Sequence, residues 1–248
     1  MITHGDDLLI SGAWLLGIGT LVGAIGQTRQ TLTSTNLGKD LVLKGNGIEA
    51  VGNSLQAIGR SKMLNPENER SETYFIFGAW LEAIGNIGNA VGIDMQLSGS
   101  VEEGTRTDAI GSGIQGLGAA FETFGASLTE ENISRSFEIK GNGLIAAGSF
   151  LESVGNIFIL NEKVRLGEHI LLLGSWTQVF GAFILIEAFS LDPEPEPEKG
   201  NDGHNRYYSM PTIAKGPRVR PSSDRDLRNI RNNDPSRRQM DAYRRKWW

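Results

Sequence analysis

Glu49, Glu82, Glu122 and Glu152 recur at one position of a repeating pattern, and recurring carboxylates are the raw material of acid–base pairs or of a di-metal site in a helical bundle. A di-metal bundle also needs Glu-x-x-His pairs, and the sequence has none. The carboxylates therefore read as part of a polar helix face. Gly111-Ser112-Gly113-Ile114-Gln115-Gly116 matches the dinucleotide fingerprint G-x-G-x-x-G, but that motif works only between a β-strand and a helix, and no strand-like run precedes it. His4, His169 and His204 lack metal-ligand spacing, and the chain has no cysteine, which excludes disulfides, thiolate chemistry and cysteine zinc sites. No G-x-S-x-G, P-loop or H-E-x-x-H occurs. No enzyme, cofactor or small-molecule substrate is expected.

The elements that carry these residues are set by glycine. A glycine returns every seventh residue, and the whole ladder returns about every 33 residues, six times. It runs Gly12, Gly19, Gly26; Gly45, Gly52, Gly59; Gly78, Gly85, Gly92; Gly111, Gly118, Gly125; Gly141, Gly148, Gly155; and Gly174, Gly181, with Ala188 in the last slot. The expected fold is all-α: six antiparallel helices of roughly 25 residues, each about 37 Å long at about 1.5 Å per residue. Small residues seven positions before each first rung (Gly5, Gly38, Ser71, Gly104, Ser134 and Gly167) are expected as helix N-caps. Thr28 to Leu37, Leu64 to Arg70 and Thr129 to Ile133 are expected as connectors.

With glycine at heptad position a, the other positions separate by character. Positions c, d and g are large and apolar, as in Trp14, Leu15 and Ile18 or Trp80, Leu81 and Ile84. Position f is small. Positions b and e are polar: Asn46, Asn53, Asn86, Ser112, Asn142 and Ser149 at b, with Glu49, Gln56, Glu82, Gln115, Glu122, Glu152 and Gln178 at e. Glycine inside a helix costs about 1 kcal/mol relative to alanine. A ladder of glycines is recovered only where backbones approach closely, so these glycines are expected to pack helices together.

Two arrangements satisfy the pattern. In one, a water-soluble bundle turns its Glu and Asn stripe to solvent and buries the apolar first and last helices. In the other, all six helices lie in a membrane with the b and e stripe facing inward. Leu8 to Gly26 carries no charge, and Ile170 to Ser190 carries one, Glu187, so both have the length and character of membrane spans. Loop charges show no strong Lys and Arg bias that would choose between the two. Membrane association is the preferred expectation, with a cytoplasmic location as the alternative.

The C-terminal fifth is a different material. Residues 1–191 form the expected repeat domain, 192–199 an acidic Pro-rich linker, and 200–248 a basic tail expected to be disordered. From 199 onward there are thirteen Lys or Arg against five Asp, a net of +8, whereas residues 1–198 hold eleven basic and twenty-four acidic side chains, a net of −13. Arg218, Arg220, Arg237, Arg238, Arg244, Arg245 and Lys246 with Trp247 and Trp248 suit an anionic partner: a membrane leaflet, nucleic acid, or the chain's own acidic region.

The cores G-A-W-L-x-x-I-G at Gly12 and Gly78, and K-G-N-G-[IL] at Lys44 and Lys140, resemble those of repetitive, glycine-heptad helical proteins of spore-forming Gram-positive bacteria, a group without assigned function. The ladder is also similar to that of glycine-zipper membrane proteins. The resemblance implies helix association, including self-association into homo-oligomers, and supplies no catalytic residue.

Overall fold

The computed structural model describes residues 4–33 and 36–191. They form six helices and no strand: α1 (His4–Thr33), α2 (Asn36–Met63), α3 (Glu69–Leu97), α4 (Val101–Ser127), α5 (Ile133–Leu160) and α6 (Val164–Ser190). Each helix packs on its neighbours in sequence, and α6 returns to pack on α1. The six therefore close into a ring. The residues named as the anionic-partner tail, and the expected linker, lie outside the described residues.

The closest approaches occur within three hairpins, α1–α2, α3–α4 and α5–α6. A methyl group added at Gly12 would stand 2.6 Å from the Gly52 carbonyl oxygen, and one at Gly52 would stand 2.8 Å from that of Gly12. Gly45 meets the Gly19 carbonyl at 2.8 Å, and Gly26 meets that of Gly38 at 2.7 Å, so residue numbers fall on one helix as they rise on the other. That is antiparallel pairing. In the second hairpin a methyl added at Gly78 or at Gly118 would stand 2.6 Å from the other's carbonyl oxygen, and in the third one added at Gly148 or Gly174 would stand 2.6 or 2.7 Å from the other's. No side chain fits at these separations.

Two expectations about helix ends are corrected. The small residues expected as N-caps lie inside the helices, because α2 already begins at Asn36 and α4 at Val101. Gly5, Gly38 and Gly167 sit against the backbone of the facing helix in the same way as the ladder glycines, which extends the ladder by one heptad. The one cap that accepts a helix-terminal N–H through its side chain, among the described ends, is Asn132, whose Oδ1 bonds Arg135 N at 2.7 Å. The connector expected from Thr28 is helical to Thr33, since Thr28 and Thr33 turn their hydroxyls onto the carbonyls of Ala24 and Arg29, both at 2.7 Å, and do not compete for the chain. Gly99 makes the α3–α4 turn with φ +100°, a backbone region that suits glycine.

The wheel positions fall in a definite order around the ring. Positions b and e point inward: Glu82 is 1% exposed, Asn86 0% and Gln115 1%. Positions c and g point outward: Trp14 is 50% exposed, Ile84 54% and Phe180 65%. The polarity of a water-soluble bundle is inverted. This overturns the arrangement in which the Glu and Asn stripe meets solvent: each helix packs through its glycine stripe on its hairpin partner and by its other flank on the next hairpin, and the b and e side faces the ring's centre.

Candidate functional site: the polar interior

The interior is built from corresponding positions of the three hairpins. Glu49, Gln115 and Gln178 occupy the same e position of α2, α4 and α6, and they meet near mid-height. Gln115 Nε2 donates to Gln178 Oε1 at 2.9 Å and to Glu49 Oε2 at 3.4 Å, while its Oε1 accepts from Asn89 Nδ2 at 3.2 Å. Ser112 Oγ donates in turn to Asn89 Oδ1 at 3.3 Å. Beside this set, Asn53 Nδ2 donates to Glu82 Oε2 at 3.4 Å. Asn86 and Asn142 are fully enclosed, and neither end of either amide has a hydrogen-bond partner. An interior with orphaned amides is poor packing for a soluble core, since each costs on the order of 1–3 kcal/mol.

Toward the end where α1 begins, the lining changes. Leu16, Ile145 and Leu185 hold e positions there and pack with Ala119, Ala146 and Ala182 into an apolar cluster of buried residues. That end is capped by Arg60, which places Nη2 2.6 Å from Glu138 Oε2 and Nη1 3.3 Å from Glu72 Oε1. The guanidinium lies 3.8 Å above the Phe75 ring and 5.4 Å from that of Phe189. Three helices are thus tied at one buried cation.

The opposite half holds a chamber of about 60 Å³. Lys39, Glu49, Asp108, Glu152, Asn156 and Glu168 lie on its wall. Lys39 Nζ donates to Gln96 Oε1 at 2.8 Å, and Glu168 Oε2 accepts from Gln27 Nε2 at 2.8 Å and from the Thr31 hydroxyl at 3.3 Å. Among the described residues, no three His, Cys, Asp or Glu side chains stand close enough together to hold a metal ion.

The structure draws the recurring carboxylates into one interior, where Glu82 stands within electrostatic reach of Glu122 and Glu49, and Glu49 of Glu152. Glu49 and Glu152 line the chamber, Glu82 bonds Asn53, and Glu122 is also within reach of the Arg60 cation. The G-x-G-x-x-G stretch lies within α4, where a methyl added at Gly111 would stand 2.7 Å from the Gly85 carbonyl oxygen and one at Gly116 2.8 Å from the Phe150 ring, and no strand precedes it among the described residues. His169 is exposed near the start of α6, and His204 lies outside the described residues. Sequence reading missed Arg60, Glu72 and Glu138 at one end and Lys39, Asp108 and Glu168 at the other. Every one of them occupies a b or e position once the heptad is carried into the terminal turns, and that register was the available signal.

Ring closure, outward aromatic side chains and an enclosed polar lining define an all-helical protein of inverted polarity. Three of its helical segments, Gly5–Thr33, Ile133–Leu160 and Val164–Ser190, are long and apolar enough to cross a membrane. The chain belongs to the family of unknown function DUF6944, whose model matches residues 7–186. Neither the curated proteins nor the solved structures contain a match.

Proposed function

We propose that the protein is a non-enzymatic, membrane-embedded helical array whose basic tail contacts the anionic surface of the same membrane. The single observation that carries this reading is the inverted polarity: Trp14, Ile84 and Phe180 stand half or more exposed while Glu82, Asn86 and Gln115 are enclosed. In water that surface would expose a continuous apolar belt, which soluble monomers avoid. In hydrocarbon it is the favoured exterior, and an inward polar stripe is the arrangement under which charged side chains are tolerated at membrane depth.

The ladder glycines already face partners within the chain, so the outward c and g side chains are what lipid, or a second copy, would meet. Arg218, Arg220, Arg237, Arg238, Arg244, Arg245 and Lys246 supply attraction to anionic headgroups, and Trp247 and Trp248 suit the interface. Carbonate washing and detergent dependence test the embedding: the chain should stay with the membrane pellet and need detergent to remain monodisperse. Recovery in the aqueous fraction, monodisperse without detergent, refutes it. A soluble binding module would instead show tail-dependent, steeply salt-sensitive affinity for DNA or RNA.

A further inference from the structure

We propose that the polar interior is a proton relay that joins the two ends of the ring through Glu138, Glu122, Glu82, Glu49, Glu152 and Asp108. The inference deepens the membrane-embedded reading and rests on it, because only a sealed bilayer lets a proton difference stand between the two ends. Each group lies within electrostatic reach of the next. At the end where α1 begins, Glu138 and Glu72 share Arg60, and Glu122 stands in reach of all three. Glu82 is in reach of Glu122 on one side and of Glu49 on the other, and Glu152 is in reach of Glu49 and Asp108. At the opposite end, Asp108 and Glu168 both reach Lys39. Glu122, Glu82 and Glu49 are sealed at 5%, 1% and 5% exposure, whereas Glu138, Lys39 and Glu168 at the two ends are half-buried. Ionisable side chains enclosed at membrane depth are the usual material of proton paths.

A row of acids conducts only where water fills the steps between them, and the interior marks places for that water. Asn86 and Asn142, 0% and 1% exposed, have no hydrogen-bond partner at either end of the amide, and Glu72 Oε2 is enclosed without one. Asn86 lies one turn beyond Glu82 on α3, and Asn142 one turn beyond Glu138 on α5, so each shares a helix face with a carboxyl of the relay. Enclosed polar groups that the protein leaves unpaired are met by ordered water. In the other half, the chamber of about 60 Å³ walled by Glu49, Asp108 and Glu152 has room for a few waters, at roughly 10–15 Å³ each by the same measure. A proton taken from water at one end passes from a carboxyl O–H through a bridging water to the next carboxylate. The donor, left as a carboxylate, accepts the following proton, and the last group releases its own to water at the far end. Only O–H bonds are made and broken, nothing is oxidised or reduced, and the proton difference across the bilayer drives the transfer. Across the ring from Glu82 and Glu122, Leu16, Ile145 and Leu185 leave the wall apolar. A metal ion would lose its hydration shell there, and a proton needs none.

The test uses full-length protein reconstituted into vesicles of phosphatidylcholine and phosphatidylglycerol, loaded with potassium and a trapped pH-sensitive dye. Valinomycin in sodium buffer makes the interior negative and draws protons inward. Flotation of the vesicles through a density step reports embedding separately from any flux. Wild-type vesicles should acidify several times faster than empty ones, while sodium, read by a trapped sodium-sensitive dye, enters no faster. Glu82→Gln still accepts from Asn53 but releases no proton, so uptake should fall about tenfold, and Glu49→Gln should act in the same way. Glu82→Asp, which keeps a carboxyl, should regain much of the loss, and the exposed Glu187→Gln should match the wild type. Protein that floats without raising uptake, uptake that both glutamine variants share with the wild type, or sodium entry that keeps pace with acidification overturns the relay and leaves the embedding standing. Protein that fails to float overturns the embedding and the relay with it.

Discussion

Gln115 and Gln178 lie 63 residues apart in the chain, yet the Nε2 of the first bonds the Oε1 of the second at 2.9 Å. They hold the same rung of successive hairpins, and Glu49 holds that rung in the first. Gln115 donates to both and accepts from Asn89. Removing it leaves several enclosed acceptors and donors without a partner. Gln115→Ala is expected to destabilise the ring by about 2–4 kcal/mol, combining an uncompensated polar group with a cavity. Thermal unfolding followed by circular dichroism measures it.

The glycine contacts predict opposite outcomes at two kinds of position. Gly52 faces the Gly12 carbonyl and the Leu16 amide nitrogen, each at 2.8 Å from an added methyl, so Gly52→Ala should cost about 1–3 kcal/mol through forced separation of two backbones. Gly47 and Gly143 also lie inside helices but would meet nothing within 4 Å. Alanine there should leave stability unchanged or raise it by about 0.5–1 kcal/mol. If both classes respond alike, close approach is not what the ladder provides.

Arg60 should tolerate no simple removal. Arg60→Met leaves Glu72 and Glu138 enclosed without their cation, at an expected cost of about 3–5 kcal/mol. Adding Glu72→Gln and Glu138→Gln should recover most of that loss, because the uncompensated charges disappear with the cation. Denaturant unfolding of the single and triple variants gives the comparison.

Ile84 lies near the middle of α3 and points outward, 54% exposed. In lipid, Ile84→Lys should cost about 2.5–3.5 kcal/mol for insertion and shift the chain out of the carbonate-resistant fraction. In water the same change would be neutral or would improve solubility. Fractionation of this one variant therefore separates the two environments.

A chain cut after residue 198 should keep its ring and its membrane retention but lose the net +8 of the tail. Electrophoretic mobility of vesicles carrying full-length or shortened protein, with and without anionic lipid, reads the difference. An unchanged salt dependence on anionic vesicles would remove the tail from the lipid contact.

Helix number, helix direction and the polar stripe follow from the 33-residue ladder and its heptads, because steric demand for glycine and helical periodicity are both local in the sequence. What the wheel does not specify is which side of each helix faces the ring's centre. Trp14 and Trp80 have the size and character of core residues, and they turn outward because each helix packs through glycine on one flank and on the next hairpin by the other, which leaves b and e for the interior. Gly38 and Gly167 read as caps for a related reason: a small residue near a helix start serves equally as a cap or as another rung, and only the facing helix decides. Arg60, Glu72 and Glu138 lie at the ends of three different helices; the heptad register places each on the inward side, and only the ring's closure brings them together.

The three hairpins place their wall contacts at one set of positions and their lining at another. At the rung of Glu49, Gln115 and Gln178 all three copies are polar; at the rung of Leu16, Glu82 and Ile145 one copy is acidic and two are aliphatic. Scaffold and lumen are therefore written in separate registers of the same repeat. The character of the interior can change rung by rung, from greasy to polar, while the glycine-seamed helices that surround it keep their contacts.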